Sequence, residues 1–392
     1  MTIAESDSRK MVIIIGDYLG IMSGTARVIS DMSWQFNENA IILTSVSRAG
    51  FAYSVSEKSE IMQMQRTHLS EGLPRQLRSW VPSMREGRRI ARLIDSSENS
   101  FVLNAHTASS ALLAGVIKSL SRRKRPRVSA FIYDAEELSG RLGLLLLQLL
   151  LRLHAIDEIL VLDNKMAAFA REKLGTARVV VVRIGVSPSV IELVKKKDLI
   201  APERYSEKKE FVVLFQGIPI PRRRLEDLVS AISMMEGKES EAVHLYIGGS
   251  LDIDPDYVRL LTRMVERLSL NSRVTFLGSL TEEELAFMYK RCDAFVFPCD
   301  NQTWGLAPLE ALLFGKPAIV STGAGVAEVL NDDLAILVPP RNPQALRDSI
   351  SMLIKDEDLR ERLGGRGRSY VLTNLTFTNT ADELKALWGM KG

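Results

Sequence analysis

Short apolar runs recur through this 392-residue chain, with helix-length stretches between them. Met11 to Ile15, Ala40 to Val46, Phe101 to Asn104, Arg127 to Tyr133, Glu158 to Leu162 and Val179 to Val182 form one series. Phe211 to Phe215, His244 to Ile247, Val274 to Phe276, Ala294 to Phe297, Ala318 to Val320 and Ala335 to Val338 form a second. Strands this apolar must be covered on both faces, and the intervening helical patterns supply that cover in parallel β-α-β units. A polar, Lys-rich passage, Lys195 to Glu210, separates the two series. A chain of this length also exceeds what one core usually supports. The pattern predicts an α/β protein of two doubly wound, Rossmann-like domains facing a central cleft, with residues 1–195 and 211–370 as the domains and 196–210 as the linker.

Residues 292 to 329 carry the most chemistry. The run Ala294-Phe295-Val296-Phe297 stops at Pro298, a polar loop leads to Trp304-Gly305-Leu306, and an apolar helix with one carboxylate, Glu310, follows. Lys316-Pro317 closes that helix, and the next strand ends in a loop with Gly323 and Gly325. Strands that deliver Gly-containing loops to helix N-termini bind phosphorylated ligands, because first-turn amides are unpaired donors. Glu310 lies among Leu306, Leu309, Leu312 and Leu313, where an unpaired charge would cost on the order of several kcal/mol. It therefore needs a partner.

Hydrophobic residues make up 46% and charged residues 25% of the chain, which excludes a disordered or fibrous class. Cys292 and Cys299 give no disulfide or metal framework, and a reducing, cytoplasmic compartment is expected. The apolar run at Met11 follows an acidic, Ser-rich start and breaks at Gly16-Asp17, so it does not read as a signal peptide. Leu142 to Leu153 is interrupted by Gln148 and Arg152 and is too short to span a bilayer. The net charge of +3 hides an asymmetry: residues 1–200 hold 28 Lys and Arg against 20 Asp and Glu, and the remainder hold 23 against 28. The basic clusters are Arg85 to Arg92 and Arg122 to Arg127. Either they are solvated helix and turn faces, or they meet an anionic membrane surface from its inner side; the Leu-rich helix is compatible with the second. Nucleic acid is not expected as a partner, because no aromatic residues interleave with these runs.

The order of motifs in the second half resembles that of the family-4 retaining glycosyltransferases (glycosyltransferase group 1, GT-B fold). The resemblance rests on Phe215-Gln216-Gly217 through Arg224, Tyr246 to Gly249, Arg273 to Gly278, the 292–329 segment, Leu337 to Pro340 and Leu359 to Gly364. In the first half, Gly16-Asp17-Tyr18 with Ser23-Gly24 is similar to the family's phosphate-facing loop, and Arg183 to Val186 to its pre-linker segment. The resemblance implies a nucleotide-diphosphate sugar as donor, a hydroxyl acceptor (lipid-linked or a glycan), a retaining front-face displacement without metal, and no cofactor. It also implies that the terminal helix, Thr380 to Trp388 within residues 380–392, packs back on the first domain.

Site roles follow residue by residue. Glu310 is implied to hold the donor ribose. Gln302 stands where the family has a second Glu, against the transferred sugar, and keeps hydrogen-bonding reach without the charge. The family's Arg after the Gly falls on Ile218, and its Lys on Arg223, within Arg222-Arg223-Arg224. These arginines either hold the diphosphate bidentately or form an exposed basic turn. Gly24, Gly217, Gly278 and the amides of Trp304, Gly305 and Leu306 complete the donor set, with the Trp304 ring expected to pack against its loop. Tyr133-Asp134 replaces the family's His-Asp; Tyr133 can hydrogen-bond but is no base near neutral pH. His106 is either an acceptor contact or a satisfied structural histidine. The changes at Ile218, Gln302 and Tyr133 leave open an active transferase with altered donor preference or a degenerate module that binds without transfer. A sugar-nucleotide epimerase is weaker, lacking a His- and carboxylate-rich site.

Overall fold

The structure, a computed structural model, describes residues 10–16, 24–44, 53–63, 80–206 and 211–390. It separates into two units, Met1–Arg183 with Thr378–Gly392, and Ile184–Phe377. In the first unit the described strands are β1 (Lys10–Ile15), β2 (Ala40–Thr44), β3 (Glu60–Gln63), β4 (Ser100–Ala105), β5 (Arg127–Phe131), β6 (Glu158–Val161) and β7 (Val179–Val181). They form one parallel sheet in the order β3-β2-β1-β4-β5-β6-β7. Ile13 of β1 pairs with Ile41 on one side and Leu103 on the other, so β1 lies inside the sheet. β3 was not foreseen. Glu-Ile-Met-Gln carries only two apolar residues, and as the edge strand it needs no continuous apolar run.

In the second unit the described strands are β8 (Phe211–Gln216), β9 (Val243–Gly248), β10 (Val274–Gly278), β11 (Ala294–Phe297), β12 (Ala318–Ser321) and β13 (Ile336–Val338). All are parallel, in the order β10-β9-β8-β11-β12-β13. Each expected apolar run is a strand within a residue or two of its expected ends, and the tail of the Ala40 to Val46 run lies outside the described residues. Both strand orders reverse once, between β1 and β4 and between β8 and β11. Crossover helices leave in opposite directions at such a point, which opens a crevice at the C-terminal strand ends.

The first unit closes at Arg183, twelve residues before the expected domain boundary at residue 195. The reason is local bonding. Val186 N donates to Leu375 O at 2.8 Å, Phe377 N donates to Val186 O at 2.9 Å, and Trp304 Nε1 donates to Ile184 O at 2.9 Å. Residues 184 to 195 are thereby sewn into the second unit, and residues 207–210 of the expected linker lie outside the described residues. The last helix, Phe377–Trp388, delivers a buried Trp388 to the first unit. Its Nε1 donates to Ser129 Oγ at 2.8 Å, its carbonyl accepts from Lys10 Nζ at 2.5 Å, and its ring lies 5.6 Å from Phe36.

The helix Leu306–Leu313 is braced from behind by the helix Glu357–Asn374. Close approach requires small residues at the crossing: a Cβ at Gly364 would overlap the Gly315 carbonyl oxygen, whereas one at Gly365 meets nothing. Helix propensity alone favours Ala over Gly by about 1 kcal/mol at both positions. Gly365→Ala should therefore stabilise the protein by up to about 1 kcal/mol, while Gly364→Ala should destabilise it by about 1–3 kcal/mol. Urea unfolding of the two variants checks this, and a rise in stability for Gly364→Ala would refute the tight crossing.

Candidate functional site

The crevice of the second unit is built where β8 and β11 end. After β8 the chain turns at Gly217, at φ 151°, beneath Gly249, at φ 136°, whose position leaves no room for a Cβ against the Gly217 carbonyl. Only glycine meets both demands there. The loop then forms a short 3-10 turn, Pro221–Arg223, in which Asp300 N donates to Arg222 O at 2.8 Å. That bond ties the loop after β8 to the loop after β11.

The three arginines do not act alike. Arg224 Nε and Nη2 donate to Asp227 at 2.9 and 3.0 Å, and Nη1 pairs with Glu226 at 2.6 Å. Those bonds, first of all the one to Asp227, raise its pKa further, and its charge is committed within the protein. Arg222 has a partner of its own. Arg223 is different. Its guanidinium lies 5.6 Å over the Phe297 ring, Nη1 is 3.6 Å from Cys299 Sγ, and Nε is buried with no partner among the described residues. A buried guanidinium nitrogen without an acceptor is costly, and an anion would satisfy it.

Gln302 belongs to the same place. Its carbonyl accepts from Gly325 N at 2.8 Å, and it bridges Ala324, which joins the loop after β11 to the glycine loop after β12. Its Oε1 is buried without a partner among the described residues. The helix that follows begins at Gly305, which offers no side-chain cap to the first-turn amides. Trp304 is 3% exposed, and its indole donates to the Ile184 carbonyl. Gly278, at φ 78°, accepts at its carbonyl from Gly249 N at 2.8 Å, linking β10 to the same edge.

Glu310 lies one turn further into the helix and is 6% exposed. Its Oε2 accepts from Tyr289 Oη at 2.9 Å, which provides the partner a buried carboxylate requires. Tyr289, itself 1% exposed, is stacked on Phe314 with centroids 5.4 Å apart. Sequence reasoning missed Tyr289, and no spacing between residues 289 and 310 signals the pair. It also missed the commitment of Arg224, although an acid three residues ahead, Asp227, is the helical ion-pair spacing that could have shown it.

In the first unit, the reversal point between β1 and β4 is marked by Gly16 and His106, with His106 N donating to Ile15 O at 3.1 Å. His106 is fully buried, and its Nδ1 is 2.7 Å from Tyr133 Oη. The His106 ring stacks on Phe131 at 5.3 Å, and Phe131 on Tyr133 at 5.4 Å. Burial pulls the pKa of His106 down from 6.5 to about 3, so the imidazole is neutral throughout the physiological range. Desolvation, with the charge of Glu137 adding to it, pushes the Tyr133 phenol well above its ordinary value, so it is a hydrogen-bonding group and no base. Asp134 caps a short 3-10 turn by accepting from Glu136 N at 3.2 Å. Gly24 opens the helix Gly24–Phe36, and Asp17, Tyr18 and Ser23 of the expected phosphate loop lie outside the described residues. Within the second unit the structure thus joins Gly217, Arg222, Arg223, Gly278, Gln302 and the 304–306 segment at one sheet edge. Among the described residues no group of three His, Cys, Asp or Glu is placed to hold a metal.

Residues 196–370 match the model of the family described as Glycosyl transferases group 1. An uncharacterized glycosyltransferase of Methanocaldococcus jannaschii is 28% identical over 175 residues, 44% of this chain and 43% of the relative. The mannosylfructose-phosphate synthase of Agrobacterium fabrum is 28% identical over 181 residues, 45% of this chain and 40% of the relative. The matches thus span less than half the length of these relatives. The crystal structure of Anabaena HepE in complex with UDP and glucose aligns with a TM-score of 0.75 at 16% identity, covering 97% of this chain and 99% of that one. The fold is therefore that of the GT-B glycosyltransferases, two parallel-sheet α/β domains, and residues 196–370 of the second unit are similar to the group 1 glycosyl transferases.

The depressed pKa of His106 has a sign that can be tested. The unfolded chain takes up a proton near pH 6.5 that the folded protein does not take until about pH 3. The contribution of this group is complete above pH 6.5 and is lost as pH falls toward 3, by up to about 1.4 kcal/mol per pH unit. Urea unfolding at about pH 7.5 and about pH 5 should show this loss in the wild type and a smaller one in His106→Asn. Equal losses in the two proteins would show that His106 does not titrate as described.

Proposed function

We propose that this protein is a retaining glycosyltransferase that moves a sugar from a nucleotide-diphosphate sugar to a hydroxyl acceptor. The observation that carries the reading is the pair of buried, unpartnered atoms at the β8–β11 reversal, Arg223 Nε and Gln302 Oε1, inside the segment that matches the family model. A cationic donor and a neutral amide oxygen, one loop apart, suit a diphosphate next to a hydroxyl-bearing ring.

In this reading Arg223 and the first-turn amides of the helix Leu306–Leu313 take the charge that develops on the leaving diphosphate. Gln302 orients sugar hydroxyls, and Glu310, held by Tyr289, accepts from the ribose. The bond from the anomeric carbon to the phosphate oxygen breaks as the acceptor oxygen bonds on the same face. The departing phosphate takes the acceptor proton, so no protein base is required, in keeping with the neutral Tyr133. The reading calls for no metal and no cofactor beyond the donor. Acceptor recognition is assigned to the first unit, with Tyr133, Asp134 and His106 as its nearest chemistry. No helix among the described residues is long and apolar enough to cross a membrane. The first unit is read as working against an anionic, cytoplasmic membrane face.

A module that binds without transfer is favoured by one fact, the apolar Ile218 where the family has a cation. A panel of labelled sugar nucleotides, followed for release of nucleoside diphosphate with and without alcohol acceptors, decides between them. Turnover of at least one donor is expected, and binding without turnover for every donor and acceptor would sink the transferase reading. For the residues, Arg223→Ala and Glu310→Ala should each weaken nucleoside diphosphate binding about tenfold or more, the loss of one charge-assisted hydrogen bond. Arg224→Ala should lower stability and leave that affinity within about twofold, because its charge serves Glu226 and Asp227. Calorimetric titration checks all three, and unchanged affinity in Arg223→Ala or Glu310→Ala would remove that residue from the site.

A further inference from the structure

The helix Arg141–Arg152 is apolar around most of its circumference, yet much of that surface faces outward. Leu147 and Leu151 are buried, whereas Leu142, Leu145, Leu149 and the cap residue Leu153 are 40%, 62%, 50% and 66% exposed. Steps of three and four residues bring these four leucines onto a single stripe. The only charged residues of the helix are Arg141 and Arg152, which lie together along one flank of the stripe; no acid is present. Contiguous apolar surface of this kind marks an interaction site rather than ordinary exposed leucine.

The surroundings say what interacts. The helices Trp80–Ser96, Ala108–Leu120 and Arg141–Arg152 share one core cluster and so cover the same face of the first sheet. Gly115 lets Leu150 approach, with a Cβ there only 2.9 Å from the Leu150 side chain, and this anchors the Leu-rich helix by its inner side. On the outer side, Arg88 and Arg92 project from the first of these helices, and Arg122 and Arg123 from the turn after the second. Asp95 lies among them, but its carboxylate accepts from the amides of Arg122, Arg123 and Lys124 at 2.8, 3.1 and 3.1 Å. Its charge is spent on the backbone, and the turn is fixed with its guanidinium groups outward. Arg88, Arg92, Arg122, Arg123, Arg141 and Arg152 form no ion pair among the described residues. A second copy of this chain on the stripe would bring like charges together, which disfavours it. An anionic lipid surface has the complementary order, phosphates outside and acyl chains beneath.

We infer that this helix layer is a membrane-docking face, with Leu142, Leu145, Leu149 and Leu153 entering the acyl boundary and the arginines meeting lipid phosphates. The inference gives the membrane-side reading above its structural element, and it does not depend on glycosyl transfer. Flotation of the full-length protein with phosphatidylglycerol–phosphatidylcholine vesicles and with pure phosphatidylcholine vesicles tests it. The wild type should bind the anionic vesicles about tenfold or more tightly than the neutral ones, and less tightly in high salt. Leu145→Ser with Leu149→Ser should cut binding at least about tenfold at low salt, and Arg122→Ala with Arg123→Ala should flatten the salt dependence. Unchanged circular dichroism and nucleotide affinity in the leucine variant confirm its fold and keep this test separate from that of the transferase reading. Absence of wild-type flotation at low salt, or equal flotation of the leucine variant, would overturn the proposal. So would a self-associated wild type that the leucine variant dissociates and that fails to bind vesicles, which assigns the face to a second copy.

Discussion

Everything at the candidate site depends on the single reversal of strand order in each sheet. Where neighbouring parallel strands send their crossovers in opposite directions, no connection covers the gap at their C-terminal ends. The chain must fill that gap with loop backbone, side chains or ligand. The two units meet the same constraint differently. Between β1 and β4 the gap is occupied by the stacked His106, Phe131 and Tyr133, with the imidazole buried and neutral. Between β8 and β11 it is lined by glycine backbone and by two polar atoms with no partner among the described residues, Arg223 Nε and Gln302 Oε1. Each gap keeps buried polar atoms without a partner among the described residues, His106 Nε2 in the first and Arg223 Nε with Gln302 Oε1 in the second. Only the second pairs a cationic donor with an acceptor.

The same economy governs the charges. Three consecutive arginines look in sequence like a single cationic patch. In the fold the backbone at Arg224 is left-handed, at φ 53°, and its guanidinium turns to Glu226 and Asp227 at the start of the next helix. Acids in a first helical turn are stabilised by the helix dipole, so they hold Arg224 in place and take it out of the site. Arg223 faces the crevice because it sits on the preceding 3-10 turn, against Phe297 and Cys299. Of the three, Arg224 is the one whose charge is committed to acids within the protein.

The fold was legible because parallel strands buried on both faces leave long apolar runs, and those runs were strands within a residue or two. β3 was not legible, since an edge strand with Glu60 and Gln63 at its ends carries no such run. The unit boundary was misplaced because composition changes at Lys195, whereas the bonding changes at Ile184, where Trp304 and residues 375–377 capture the chain. At the site, Glu310 announced its need for a partner by its apolar neighbours, and the partner was invisible: Tyr289 is twenty-one residues earlier, on a helix that only the fold brings alongside. The division among Arg222, Arg223 and Arg224 depended on backbone conformation, which residue type alone does not specify.

Gln302 shows why the loss of a carboxylate need not empty the site of chemistry. On the proposed reading, a glutamate there would put a further negative charge beside the diphosphate, tolerable only with ample cationic compensation. With Ile218 in place of one cation and Arg224 withdrawn to Asp227, that compensation is reduced. Replacing the glutamate by a neutral amide of the same reach restores the balance, and it keeps an acceptor where Gly325 and Ala324 hold the loop in register. On that reading Ile218 and Gln302 offset one another: fewer positive charges around the leaving group, and one fewer negative charge facing it.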